Sequence, residues 1–133
     1  MRIILMFLFI SCFSLSKLSA QEKKWLDANE NSTTKEKAVY YRVFSKDKKE
    51  QQLVVDFYIS GEKAKEIYFI EGKKQGKYVQ FYTTGEVETT GVFENGLRDG
   101  MWKMYSKRGK IKEKGKYVKG EKTGVWKTFY KNN

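Results

Sequence analysis

The chain has 133 residues, with 27 Lys and Arg against 16 Asp and Glu, and so a formal charge of +11. It has no histidine, no proline and one cysteine, while 16% of its residues are aromatic, which argues for one small folded domain rather than disorder. Without histidine there is no Ser-His-Asp triad, no Cys-His dyad and no His-based zinc site, so the composition leans away from enzymes.

Residues 1–20 read as a secretory signal peptide. Arg2 precedes the apolar run from Ile3 to Ile10, and Ala20 stands before polar Gln21. The run is shorter than the roughly 20 residues that span a bilayer. Cleavage after Ala20 would remove Arg2 and Lys17 and no acid, lowering the charge from +11 to +9. The reading implies an exported protein, periplasmic or secreted. Cys12, preceded by Ser11, leaves a second reading open, a lipoprotein anchored through that cysteine. Either way, the sequence after residue 20 has no cysteine, so its stability must come from packing and strand pairing.

Residues 21–37 form a polar lead-in or cap, with Trp25 and Leu26 as its apolar neighbours. Asn31-Ser32-Thr33 fits a glycosylation sequon, but beside a bacterial-looking leader it carries no weight. The β-branched and aromatic segment 38–44 is expected to be a first strand. A polar turn over 45–50 follows, and a second strand over 51–59.

From there a 24-residue period takes over, and all eleven glycines fall on its phases. Gly61, Gly85 and Gly109 form one series, Gly72, Gly96 and Gly120 a second, and Gly76, Gly100 and Gly124 a third. Gly91 and Gly115 form a fourth. Aromatics keep the same period: Phe57, Phe81, Tyr105 and Phe129; Phe69, Phe93 and Tyr117; Tyr78, Trp102 and Trp126. The glycines are read as turn markers and each period as two short strands, with Asn95-Gly96 as a strong hairpin signal. The expected fold is all-β, an elongated single-layer array of antiparallel hairpins over 38–133, clearest over 76–130. The last unit opens at Gly124 and stops half a period in, leaving an edge that the tail Lys131-Asn132-Asn133 blunts or a partner strand covers.

The period and its residues resemble the MORN repeat in its bacterial variant form. The pattern appears as Gly76-Lys77-Tyr78 with Phe81-Tyr82 and Gly85, then Phe93-Glu94-Asn95-Gly96. It recurs as Gly100-Met101-Trp102 with Tyr105 and Gly109, then Gly115-Lys116-Tyr117 with Gly120, and opens again at Gly124-Val125-Trp126. The resemblance implies a single-layer run of hairpins, an antitoxin-like family label and no catalytic residues to carry over.

Three groups of residues compete for a functional role. Tyr78, Trp102 and Trp126 could stack sugars or bases, but residues that define a repeat belong first to its core. Tyr82 and Tyr130, in the phase that Ser106 interrupts, are the expected exposed aromatics. Glu86 and Glu88 flank Val87 and would share a strand face, yet no pocket surrounds them. The dispersed lysines are read first as a device that keeps an open sheet soluble. No catalytic, cofactor-binding or metal-binding residue is expected, and no cofactor. The expected role is a non-enzymatic protein-binding or scaffold module, antitoxin- or immunity-like, acting through an exposed β edge or face. The alternative is attachment to anionic envelope lipid or polysaccharide, with nucleic acid disfavoured.

Overall fold

A computed structural model describes residues 22–45 and 51–129 of the chain. The segment 1–20 (read as a signal peptide, with Cys12), most of the 45–50 turn, Tyr130 and the terminal tail lie outside the described residues. Nine strands run in chain order: β1 Lys23–Leu26, β2 Tyr40–Phe44, β3 Gln52–Tyr58, β4 Lys63–Ile70 and β5 Lys73–Phe81, then β6 Val87–Glu94, β7 Leu97–Tyr105, β8 Ile111–Val118 and β9 Glu121–Thr128. One 3-10 turn, Lys35–Lys37, joins β1 to β2, and no α-helix occurs among the described residues. All nine strands form one antiparallel sheet in the order of the sequence. The all-β hairpin array is therefore the fold.

The period fixes where each hairpin turns. Asn95 and Gly96 both take positive φ, 50° and 84°, as a two-residue turn matched to strand twist requires. The same geometry recurs one period on either side, at Glu71-Gly72 and Lys119-Gly120. Consecutive hairpins are then tied together by backbone bonds: Gly96 N–H donates to Lys74 O and Gly120 N–H to Arg98 O, each at 2.8 Å.

Not every glycine marks a turn. Gly91 and Gly115 lie inside β6 and β8 and are not in the left-handed region. An added Cβ would come within 2.2 Å of the rings of Trp102 and Trp126 respectively, so these glycines exist to let a tryptophan lie flat on the neighbouring strand. Gly76, Gly100 and Gly124 lie inside β5, β7 and β9 with positive φ. The register shifts opposite each of them, between Ile67 and Phe69, Thr90 and Val92, and Lys114 and Lys116. These are bulges repeated once per period, and each bends and twists the sheet further.

The lead-in also holds more order than a tether. Lys23–Leu26 pairs with β2, setting Trp25 opposite Tyr41 and Leu26 opposite Tyr40. Leu26 is buried, and Trp25, Tyr41 and Phe57 pack in a row across three strands. The main core sits further along, on one face of the sheet, where Ile67, Tyr78, Phe93, Trp102 and Tyr117 cluster with Phe69 and Trp126 against them.

Candidate functional site: the β9 edge and its flanking faces

The aromatic face is built by one rule repeated. In β5 and β6, Tyr78 lies opposite Gly91 and Gly76 opposite Phe93. In β7 and β8, Trp102 lies opposite Gly115 and Gly100 opposite Tyr117. Each Gly-x-aromatic triplet thus meets another running the opposite way, and the two rings touch on the diagonal: Tyr78–Phe93 at 5.3 Å and Trp102–Tyr117 at 5.9 Å, both edge-on. Trp102 is 1% exposed, and its Nε1 donates to the carbonyls of Val92 and Asp99, each at 3.2 Å.

A cation covers each unit of this seam. Lys74 lies 5.2 Å from the Phe93 ring, Arg98 lies 4.4 Å from Trp102 and 5.4 Å from Tyr117, and Lys122 lies 4.1 Å from Trp126. These three share a phase of the 24-residue period. Part of the positive charge is therefore built into the fold by cation–π contact. Sequence reasoning assigned it to solubility, although the phase of Lys74, Arg98 and Lys122 was there to be read.

The rule is left unfinished at β9. Gly124-Val125-Trp126 is a fifth Gly-x-aromatic triplet, and among the described residues no strand pairs with its outer side. Trp126 packs on Tyr117 at 5.1 Å but stays half-buried, and Val125 is 82% exposed. The Trp126 Nε1 is buried without a hydrogen-bond partner among the described residues, unlike its counterpart in Trp102. The Phe129 N–H donates to Lys112 O at 2.7 Å, so alternation along an antiparallel strand turns the Thr128 N–H and C=O outward.

The opposite face carries lysine across the same strands. Lys103 pairs with Lys114, and Lys114 with Lys127, so three lysines occupy facing positions across β7, β8 and β9, with the Lys114 Nζ 5.3 Å from the Phe129 ring. Like charges directly opposite one another oppose sheet formation. Beside them Met101, Lys116 and Val125 help to line a shallow depression of about 260 Å³.

At the other end of the sheet the charges are satisfied internally. Glu30 reaches Lys65 at 2.5 Å, Lys74 at 3.3 Å and Arg42 at 3.6 Å. Arg42 also holds the fully buried carboxylate of Asp56 with two bonds, at 2.6 and 2.8 Å. Burial would raise the Glu30 carboxyl, but the hydrogen bonds and charge of Lys65, with those of Lys74, bring it from 4.5 down to about 2. Asp27 Oδ1 accepts the N–H groups of Asn29 and Asn31 and shapes the loop that delivers Glu30. This cluster is a fastening for the lead-in, and nothing in its sequence pattern announced it.

The other sequence-singled residues fall into structural places. Glu86 precedes β6 and accepts from Thr84, whereas Glu88 falls at a register shift and accepts from Gln80 at 3.0 Å. The two carboxylates therefore do not stand together on one regular strand face. Tyr82 is half-buried, not exposed, and its hydroxyl donates to Tyr105 O at 2.6 Å. Tyr58 does the same to Phe81 O, so this phase pins one hairpin to the next. Tyr78 and Trp102 are core residues. Among the described residues no three His, Cys, Asp or Glu side chains gather as a metal site would need. No family model, no curated protein and no solved structure matches this chain.

Proposed function

We propose that the chain is an exported, non-enzymatic repeat protein of the MORN type, which binds another protein by accepting a strand along the outer side of β9. One observation carries this reading: β9 repeats the Gly-x-aromatic triplet of β5 and β7, yet among the described residues no antiparallel strand pairs with its outer side as β6 and β8 pair with theirs. Main-chain bonds along such an edge supply affinity, and pockets for alternate side chains supply selectivity. An antitoxin- or immunity-like role is a specific form of this reading.

Thr128→Pro tests it, because proline deletes an outward N–H while the bonds to β8 come from its neighbours. Capture from an envelope extract should recover a specific protein with the unmodified chain and lose it with Thr128→Pro, while the melting curve stays close to that of the parent. Equal capture by both would sink the reading.

The lysine row supports a second reading, attachment to anionic envelope lipid or polysaccharide through the opposite face. Vesicles with and without anionic phospholipid separate the two. Surface attachment should collapse as salt rises, whereas strand pairing should largely persist.

A further inference from the structure

The strand that β9 accepts can be specified, given the edge reading above. We infer that it is an antiparallel segment carrying an acidic residue, an unrestricted residue, an apolar residue and an aromatic, in that order. Its register follows from the two completed hairpins. Tyr78 faces Gly91 and Gly76 faces Phe93; Trp102 faces Gly115 and Gly100 faces Tyr117. The incoming strand therefore places an aromatic opposite Gly124, with the position two residues before it opposite Trp126.

Three of the four positions are constrained. The residue opposite Trp126 is not, because the Trp126 ring already overlies Gly115, as the Trp102 ring overlies Gly91, each on the strand before its own. The aromatic two residues later closes on Trp126 as Tyr117 closes on Trp102, with Lys122 placed to cover the pair as Arg98 covers its own. The residue between them lies opposite Val125, whose 82% exposure makes an apolar neighbour favourable. The residue before these three lies opposite Lys127, at the place that Thr90 holds opposite Val79 and Lys114 opposite Lys103. There it becomes the fourth member of the row Lys103–Lys114–Lys127, and a carboxylate relieves the repulsion that a further cation would increase.

The probe is a labelled peptide of residues 86–95 of this chain carrying Thr90→Glu, which reads Glu-Gly-Val-Phe at the four positions. Fluorescence anisotropy with the full chain should show saturable binding that Thr128→Pro abolishes. Phe93→Ala in the peptide, which removes the ring that closes on Trp126, should weaken binding at least about tenfold. Replacing the glutamate at that position by lysine should weaken it about tenfold at low salt, with the gap narrowing as salt rises. Equal binding of the Phe93→Ala peptide, or indifference to the sign of the charge, overturns the motif. Sedimentation that finds the edge already held by a second copy of the chain, with the peptide excluded, overturns it also. If every peptide fails while Thr128→Pro still abolishes capture from the envelope extract, the motif is wrong and the edge reading stands; failure of both removes the edge.

Discussion

A side chain at Gly91 and the indole of Trp102 compete for one volume, since an added Cβ would lie 2.2 Å from the ring. The same holds for Gly115 and Trp126, whereas one period earlier Ile67 stands with the smaller ring of Tyr78, and both are buried in the core. The volumes of the paired positions therefore trade against each other down the array. Trp102→Ala should cost about 3–5 kcal/mol, as truncation of a large core aromatic does, and a urea-denaturation loss below about 1 kcal/mol would contradict its place in the core. Gly91→Ile alone should destabilise strongly by overpacking. Combined with Trp102→Tyr it reproduces the Ile67–Tyr78 pair, so the double variant should lose less than the sum of its parts, by about 1 kcal/mol or more. Strict additivity would mean that the two positions do not share space.

Individual elements differ in what holds them. The segment joining β1 to β2 is fastened by Glu30, whose carboxyl is lowered to about 2 against burial by Lys65 and Lys74. A folded value below the unfolded one means stability present above about 4.5 and lost as pH falls toward 2. The urea midpoint should therefore fall between those limits, and Glu30→Gln should flatten that part of the profile while lowering stability at neutral pH. A profile unchanged by Glu30→Gln would show that the fastening contributes nothing. The β5–β9 part of this architecture was legible because hairpin turns and core aromatics recur with one period, and a repeated signal outweighs the ambiguity of any single residue. β1 was not legible: Lys23-Lys24-Trp25-Leu26 is too short and too charged to announce a strand, and it exists through its pairing with β2. Gly91 and Gly115 were misread because glycine serves turns and close approaches alike, and only the facing tryptophan tells them apart. At the candidate edge, the unpaired side of β9 follows from the period, but the Lys103–Lys114–Lys127 row emerges only once register across three strands is known.

Across the whole molecule, each strand pairs only with its neighbours in sequence, so stability is a sum of local terms and the two ends need not be equally firm. One end has buried Leu26, the ring row Trp25–Tyr41–Phe57 and the ion cluster around Glu30. The other has the exposed ion pair of Lys122 with Glu113 at 3.5 Å, a half-covered Trp126 and three neighbouring lysines that repel. Opening should therefore begin at β9 and move inward. Native-state hydrogen exchange reads this directly through backbone bonds of similar length. The Phe129 N–H, bonded to Lys112 O, and the Gly120 N–H, bonded to Arg98 O, should exchange faster than the Gly96 N–H on Lys74 O and the Val39 N–H on Leu26 O. A strand docked on β9 would cover Trp126 and add bonds to the free side, so a bound peptide should slow Phe129 and Gly120 while leaving Val39 nearly unchanged. Exchange that is uniform along the sheet, or slowing spread equally to Val39, would mean that the sheet opens as one cooperative unit and that its ends are not independent.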